Sequence, residues 1–465
     1  MSRVRRGSIC MLAAILPTLM GGCAVDQSGE VALYRQVLDE PAPPPAPPAP
    51  GEALTLEMLL WQANQNHESL GLRGESYLQA IIARRRAASA FMPTINLAPS
   101  HFRQDPVSGA DNDRTDVPVA GRLNVFNGFS DLANYRAAGQ DVQRQRALLL
   151  DAQASLLLDV AVAYYRVLRA ERSVEVLRGS LSVQEERVRE IRARGRAGLA
   201  RPLDVWQTEA QASATRVSLL EARNDVVKSR LALSLLSGVE IGQTPLVDDA
   251  TVPPDLPHVQ ALLEAAEQQR QDLAAARAAV EAARLDVDAA IGRYYPSVTL
   301  NVNYFLSRQS NPTESDWNAI LSANLPLFSA GTIHADVRAA WSALRQAQLA
   351  ESLTRRTIQQ QVRTAVENLA SSAQRIAELE VQVAAAQQSL RQAEESYRVG
   401  LGTNLERVVA QNSLLAAQLQ LSSARFDRRM FYLELLRVTG GLTLRLPPQT
   451  AAAPAADPTT GPAAP

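Results

Sequence analysis

Two hydrophobic periodicities alternate along the chain. From 156 to 191, steps of four and three land on Leu156, Val160, Ala163, Val167, Ala170, Val174, Leu177, Leu181, Gln184, Val188 and Ile191, with only Gln184 polar. The positions 202 residues further on are Ile358, Val362, Ala365, Leu369, Ser372, Ile376, Leu379, Val383, Ala386, Leu390 and Ala393, and only Ser372 breaks the run. A seven-residue apolar repeat held this long predicts left-handed supercoiled helices. Proline is absent from 129 to 201 and from 329 to 446, so each long helix is expected to run close to 70 residues, about 100 Å at 1.5 Å per residue. Shorter amphipathic helices are predicted at about 54–91 and 203–237, and again at about 258–292 and 404–437.

The second periodicity is two. Ser297-Val298-Thr299-Leu300-Asn301-Val302-Asn303-Tyr304 alternates polar and apolar residues. Trp317 to Leu325 does the same with Ile320 as the exception, while Val117, Val119, Leu123 and Val125 alternate with Arg122 and Asn124. Thr94-Ile95-Asn96-Leu97 opens the partner of this last segment. Polar loops at 105–116 and 309–316 join each pair, predicting β-hairpins over 93–127 and 296–328 with strands of about ten residues. That length crosses a bilayer when tilted.

The two periodicities belong to one duplicated unit. FNGFSDLANYRAA at 126–138 faces FSAGTIHADVRAA at 328–340, and RAGLARPLD at 196–204 faces RVGLGTNLE at 398–406, both 202 residues apart. Gly238 and Gly440 close the halves at the same spacing, and Pro93 and Pro296 precede the hairpins at an offset of 203. The organisation expected is repeat 1 over 53–238, a linker over 239–257 and repeat 2 over 258–442. The segments outside it are a Pro-rich linker at 23–52 and a Pro/Ala tail at 443–465, the tail expected to be disordered.

Composition changes the picture in two ways. The chain of 465 residues is 46% hydrophobic but only 5% aromatic, with the apolar share carried by Ala, Leu and Val, as in coiled coils rather than globular cores. Lys+Arg is 47 against Asp+Glu 48, which excludes a bulk basic field for nucleic acid. Arg3, Arg5 and Arg6, an apolar run from Ile9 to Met20, and Gly21-Gly22 before Cys23 read as a signal peptide over 1–22. Two cysteines, Cys10 and Cys23, support neither a disulfide scaffold nor a thiolate zinc site. After signal removal only Cys23 remains, as a lipid anchor or a free thiol.

No segment after the signal reads as a spanning helix, whereas four strands alternate apolar and polar faces. A small soluble sheet with one buried face is the plain alternative, but helices of ~100 Å offer no evident core on which to dock one. Four strands cannot close a barrel, and open edges cannot face hydrocarbon. Since closed membrane barrels start at about 8 strands, at least two chains must pool their hairpins.

The order helix, hairpin, long helix, return helix, doubled at constant offset, resembles the TolC family of outer membrane efflux proteins. The motifs that carry it are P-x-[VI]-x-L opening a strand, F-x-x-G at the junction of strand and long helix, and G-L at the far helical turn. The resemblance covers roughly 54–442. It implies a mainly α fold with a small transmembrane β part: a homotrimer with a 12-stranded β-barrel in the bacterial outer membrane and a periplasmic α-barrel. It also implies two partners, a periplasmic adaptor (membrane fusion) protein and an inner membrane pump of the resistance-nodulation-division type. Cys23 resembles the acylated cysteine of the lipoprotein branch. The turns Ala197-Gly198-Leu199-Ala200 and Val399-Gly400-Leu401-Gly402 match those that meet the adaptor, although Gly198 and Gly400 would equally serve as left-handed helix ends. Leu405 and Glu406 match the side chains that narrow the periplasmic entrance. A second family acid is replaced by Val409, and Thr403-Asn404-Leu405-Glu406 is also a capping box. Arg192, Arg194, Arg196 and Arg201 crowd the first turn, either to hold the closed state by salt bridges or, as expected, merely to solvate the end.

His67, His101, His258 and His334 show no ligand spacing, and there is no Walker loop, dinucleotide fingerprint or nucleophile elbow. Neither a cofactor nor an enzymatic activity is expected, so energy must come from a partner. Two classes of function follow. One is a passive exit duct for small toxic solutes or drugs, with type I protein secretion as the alternative within that class. The other is a non-channel periplasmic coiled-coil scaffold or adaptor.

Overall fold

The structure is a computed structural model that describes residues 29–39, 53–103, 114–248, 252–253, 258–308 and 315–444. Cys23, the signal segment and most of both Pro-rich ends lie outside the described residues. The helices are α1 (Glu30–Asp39), α2 (Leu56–Asn66), α3 (Glu68–Ala88), α4 (Ser130–Arg196), α5 (Pro202–Ser237), α6 (Val259–Gln269), α7 (Gln271–Gly292), α8 (Thr332–Arg398) and α9 (Asn404–Thr439). The strands are β1 (Thr94–Leu97), β2 (Ser100–Phe102), β3 (Arg114–Asn127), β4 (Ser297–Arg308) and β5 (Trp317–Asn324).

Both long helices contain 67 residues, as the uninterrupted heptad run predicts, and their ends are 202 residues apart. Each shorter helix ahead of a hairpin is broken once, at His67 and at Arg270, which adopt extended backbone with ψ of 123° and 125°. His67 is therefore a cap between two helices rather than a residue within one. Its Nδ1 accepts the Ser69 N–H at 3.2 Å. Arg270 is buried and donates to Asp272 (2.6 Å) and Gln361 (2.7 Å), an interior role that its charge did not announce.

The first expected strand is interrupted at Ala98-Pro99, where proline removes a ladder donor. Its two parts, β1 and β2, both pair with β3, and the sheet runs β1-β3-β4-β5, antiparallel throughout. The two hairpins are thus one sheet joined through β3 and β4. A shared backbone contact fixes this junction to the helices. Gly128 and Gly292 approach so closely that a Cβ on Gly128 would lie 1.9 Å from the Gly292 carbonyl oxygen. Ser130 Oγ donates to the Ala289 carbonyl at 2.8 Å beside it.

α4 packs against α3, α5, α7 and α9, and α9 against α8. The principal core lies midway along α4, where Leu149, Leu157, Val160, Tyr164 and Tyr165 meet Leu38 of α1, Leu59 and Leu60 of α2, and Leu233 of α5. One 18-residue window of α4 reaches a mean hydropathy of 1.5, which by composition alone would cross a membrane, contrary to the sequence reading. Half of that window is buried, so its apolarity is spent on this core. The polar breaks are accommodated locally: Gln184 donates to Ser180 at 3.3 Å and Ser372 to the Leu369 carbonyl at 2.6 Å.

Candidate functional site

Cross-strand register sorts the sheet into two faces. Ile95↔Gly121 and Leu97↔Val119 continue into Val119↔Tyr304, Gly121↔Val302 and Leu123↔Leu300. On β5, Trp317, Ala319 and Leu321 extend the same apolar face opposite Tyr304, Val302 and Leu300. The other face carries Thr94, Asn96, Arg122, Asn124, Thr299, Asn301, Asn303, Asn318 and Ser322, with an Asn303–Asn318 hydrogen bond of 3.0 Å. Among the described residues no helix covers the apolar face: Ile95 is 70% exposed and Leu321 67%. A soluble sheet would bury this face, since apolar surface is costly in water. At the junction with the helices, Phe91, Met92, Phe129, Tyr294, Tyr295 and Phe328 are also exposed, a belt of the kind that sits at a bilayer interface.

The far end of the helices holds the two turns. Gly198 and Gly400 have φ of +72° and +79°. That left-handed conformation ends both long helices, with the Leu199 N–H on the Arg194 carbonyl and the Leu401 N–H on the Ser396 carbonyl, each at 2.8 Å. A Cβ on either glycine would meet nothing within 4 Å, so backbone conformation rather than space selects glycine. The turns project Leu199 (77% exposed) and Leu401 (88% exposed) beyond the helix ends, flanked by exposed Ala197 and Val399. Gly402 differs, because a Cβ there would stand 2.9 Å from that of Ser396. Its counterpart in repeat 1 is Ala200.

The return helices start differently in the two repeats. Glu406 completes a capping box, accepting the Thr403 N–H at 2.9 Å while Thr403 Oγ1 accepts the Glu406 N–H at 3.3 Å. Leu405 and Val409 beside it are exposed. In repeat 1, Asp204 accepts from the Arg201 guanidinium at 2.9 and 3.0 Å and from the Arg201 N–H at 3.3 Å. Hydrogen bonding to that guanidinium holds the Asp204 carboxyl below the usual range, against the opposing effect of its burial. Arg192 bonds Glu209 at 2.6 Å and Arg194 bonds Glu190 at 3.1 Å. Three of the four arginines at this turn are thus ion-paired rather than merely solvated.

A buried network between the repeats, unmarked by the sequence motifs, lies just behind the turns. Arg187 of α4 pairs with Glu394 of α8, and Arg407 of α9 reaches Glu190 of α4 at 3.4 Å. The Arg407 guanidinium stacks 4.2 Å from the Tyr397 ring centroid, with Arg194 5.2 Å from the same ring. Asn404 Nδ2 donates to Thr208 Oγ1 at 2.9 Å and to the Asp204 carbonyl at 3.2 Å. Burial and the neighbouring Arg407 charge lower the Arg187 pKa from its ordinary value. A sequence signal near this network is Gln184, the polar break in the heptad stripe that marks where the helix core turns polar. Among the described residues no group of His, Cys, Asp and Glu side chains could hold a metal ion.

A sheet with one uncovered apolar face, continued by helices of about 100 Å, defines a membrane β-sheet protein with a long helical extension. Residues 62–239 and 262–441, the two repeats, each match the outer membrane efflux protein family, and the chain belongs to that family. It is 25% identical over 400 residues to the outer membrane protein TolC of Vibrio cholerae, covering 82% of this chain and 90% of that protein. It is 27% identical over 366 residues to the outer membrane efflux protein BepC of Brucella suis, covering 77% of this chain and 79% of that protein. Among solved structures, the outer membrane protein VceC of Vibrio cholerae superposes with a TM-score of 0.75 at 23% identity, over 83% of this chain and 96% of that one. The family's members are channel proteins, and the chain is an outer membrane efflux channel.

Proposed function

We propose that three copies of this chain form the exit duct of a tripartite efflux system, passively conducting small toxic solutes or drugs delivered by a periplasmic adaptor and an inner membrane pump. The supporting observation is the sheet: its apolar face is bare, and its two edge strands, β1/β2 and β5, have no strand on their outer sides among the described residues. Both edges need pairing inside a bilayer, and three copies supply the twelve strands of a closed barrel. The helices carry the same demand. The outer helices α5 and α8 hold exposed apolar residues, among them Leu203, Trp206, Val217, Leu220, Val227 and Leu231 on α5 and Leu349, Leu353 and Val381 on α8. These match a head-to-tail ring in which α5 of one copy packs on α8 of the next.

In this reading the adaptor meets the turns at Leu199 and Leu401, Leu405 and Glu406 narrow the entrance, and an acylated Cys23 adds a membrane anchor to the barrel. Purified full-length protein is expected to run as a detergent-resistant trimer and to raise planar-bilayer conductance; failure of both would return the chain to the scaffold class. In cells, Leu199→Cys and Leu401→Cys place a crosslinker on exposed side chains without straining the left-handed glycines. Capture of a drug-pump adaptor separates efflux from type I secretion, and capture of no periplasmic protein removes the adaptor assignment. Mass spectrometry of the mature N-terminus tests the lipid on Cys23. Glu406→Ala is expected to raise conductance or antibiotic leak, and an unchanged closed channel would leave Glu406 its capping role alone.

A further inference from the structure

We propose that Arg122 sets the ion preference of the outer-membrane section of the conduit, drawing anionic solutes through the barrel. The inference rests on the trimeric-barrel reading and adds a specificity-determining residue to it.

Arg122 lies near the middle of β3, where the pairing is regular: Thr94↔Arg122 on one side and Arg122↔Asn301 on the other, with Asn301↔Ile320 continuing the row. The register shifts of β3 fall outside this stretch, between Val117 and Pro118 and between Asn124 and Phe126. The face of Arg122 is therefore fixed by its neighbours. It shares that face with Asn96, Asn124, Thr299, Asn301 and Asn303, whereas Ile95, Val119, Leu123, Leu300, Val302 and Tyr304 occupy the other. A charge on the lipid face near the bilayer midplane is strongly disfavoured, so the polar face is the lumen and Arg122 projects into it.

What makes this arginine decisive is the absence of any other charge at its depth. Across 94–97, 117–127, 297–307 and 317–324, Arg122 is the only Arg, Lys, Asp or Glu. Asp116 and Arg308 stand opposite one another at the far end of the sheet, where Arg103, Arg114 and Asp316 also lie, away from the depth of Arg122. Each chain thus contributes one positive charge at this depth among amides and hydroxyls, and three chains form a ring of three. Rings of Arg or Lys favour anions in pores. The lumen of a 12-stranded barrel is comparable in radius to the ~10 Å Debye length at 0.1 M salt, so the ring's field reaches the axis and weakens at high salt.

Reversal potentials of the purified full-length channel across a KCl gradient test this directly. Centred near 0.1 M KCl, Arg122→Gln is expected to lower the chloride-to-potassium permeability ratio about threefold, Arg122→Lys to keep it, and Arg122→Glu to tip it towards potassium. In 1 M KCl, where the Debye length falls to about 3 Å, the difference between wild type and Arg122→Gln should shrink towards zero. Conducting Arg122→Gln channels with the wild-type ratio at 0.1 M would overturn the assignment and leave the channel reading standing. A wild-type protein that conducts nothing would overturn the channel reading, and this inference with it.

Discussion

The two repeats share one length of long helix and one backbone turn, yet they invest their side chains differently. In repeat 1, α4 is packed on several sides, and its Tyr164 and Tyr165 meet edge to face with centroids 5.5 Å apart inside the main core. The positions 202 residues later are Val366 and Glu367. There the interior is smaller, with Ile358, Val362, Ala365 and Leu369 as its centre, and much of α8 is exposed. Repeat 1 builds the larger core within the chain, while both repeats leave apolar helix residues exposed, on α5 and on α8. Duplication preserved the backbone geometry, while the side chains divided the internal packing unequally. Placing repeat 2 residues at matching positions of repeat 1 measures how far that division has gone.

The largest effect is expected where backbones touch. Gly128→Ala installs the residue that repeat 2 carries at Ala330. Ala330 itself has a φ of +49°, so the conformation is tolerated there. At Gly128 the added Cβ would collide with the Gly292 carbonyl, and relief requires moving the strand-to-helix junction of repeat 1 or the helix-to-strand junction of repeat 2. A loss above about 4 kcal/mol is expected, seen as failure to form a detergent-resistant trimer. A Gly128→Ala trimer melting within a few degrees of wild type would show that the junction yields easily.

Tyr164→Val, which copies Val366, comes next. Tyr164 is fully buried and donates from its hydroxyl to the Leu54 carbonyl at 3.1 Å. Replacement leaves a cavity and removes one hydrogen bond, while the Leu54 carbonyl keeps the Val247 N–H, for a cost of roughly 2–4 kcal/mol. The expected readout is a lowered thermal midpoint with the turns and their partner contacts unchanged. The same substitution read in the other direction, Val366→Tyr, should disturb assembly rather than the fold of one chain, because repeat 2 has no comparable pocket.

These contrasts also show what was legible in the sequence. The long helices, the duplication and the pairing of apolar with apolar strand positions followed from periodicity, because heptads and alternation are dictated by repeat geometry. The glycine turns were legible because their sequence recurs at constant offset. The breaks at His67 and Arg270 were not, since neither residue is a helix breaker; the chain bends there to lay two short helices on the core. Nor was the Arg187–Glu394 and Arg407–Glu190 network, whose members are separated by some 200 residues and look like ordinary helix-surface charges. Position in the repeat did hold one hint: the counterpart of Arg187 is Ser389 and that of Arg407 is Val205, so both arginines break the internal symmetry.

That asymmetry can be tested with Arg187→Ser. The change removes a buried guanidinium of α4 that pairs with Glu394 of α8 and leaves Glu394, which is 45% exposed, to hydrate. Because one partner already meets water, the cost is discounted to about 1–2 kcal/mol rather than the full value of a buried pair. The pair ties the two repeats together behind the turns, so the expected phenotype is a looser periplasmic end: higher resting conductance with near-normal trimer stability. Conductance equal to wild type would confine Arg187 to packing.

The smallest effect is expected at the helix starts. Asp204→Glu copies Glu406, keeps a carboxylate at the third helical position and should cost under about 0.5 kcal/mol at neutral pH. The two caps should part company only in acid. The folded-state pKa of Asp204 lies below the ordinary 3.8 because of the Arg201 hydrogen bonds. Its contribution is therefore fully present above the unfolded-state pKa and is lost as pH falls through the depressed folded value, a window lying below about 3.8. In repeat 2 the hydroxyl of Thr403 still accepts the Glu406 N–H when carboxyls are protonated. Hydrogen exchange at 199–206 in wild type should accelerate across that acid window beyond the intrinsic rate, while Asp204→Asn removes the step. Exchange in Asp204→Asn that retains the wild-type pH profile would assign the cap to the Arg201 backbone alone, leaving the carboxylate no part in holding the first turn.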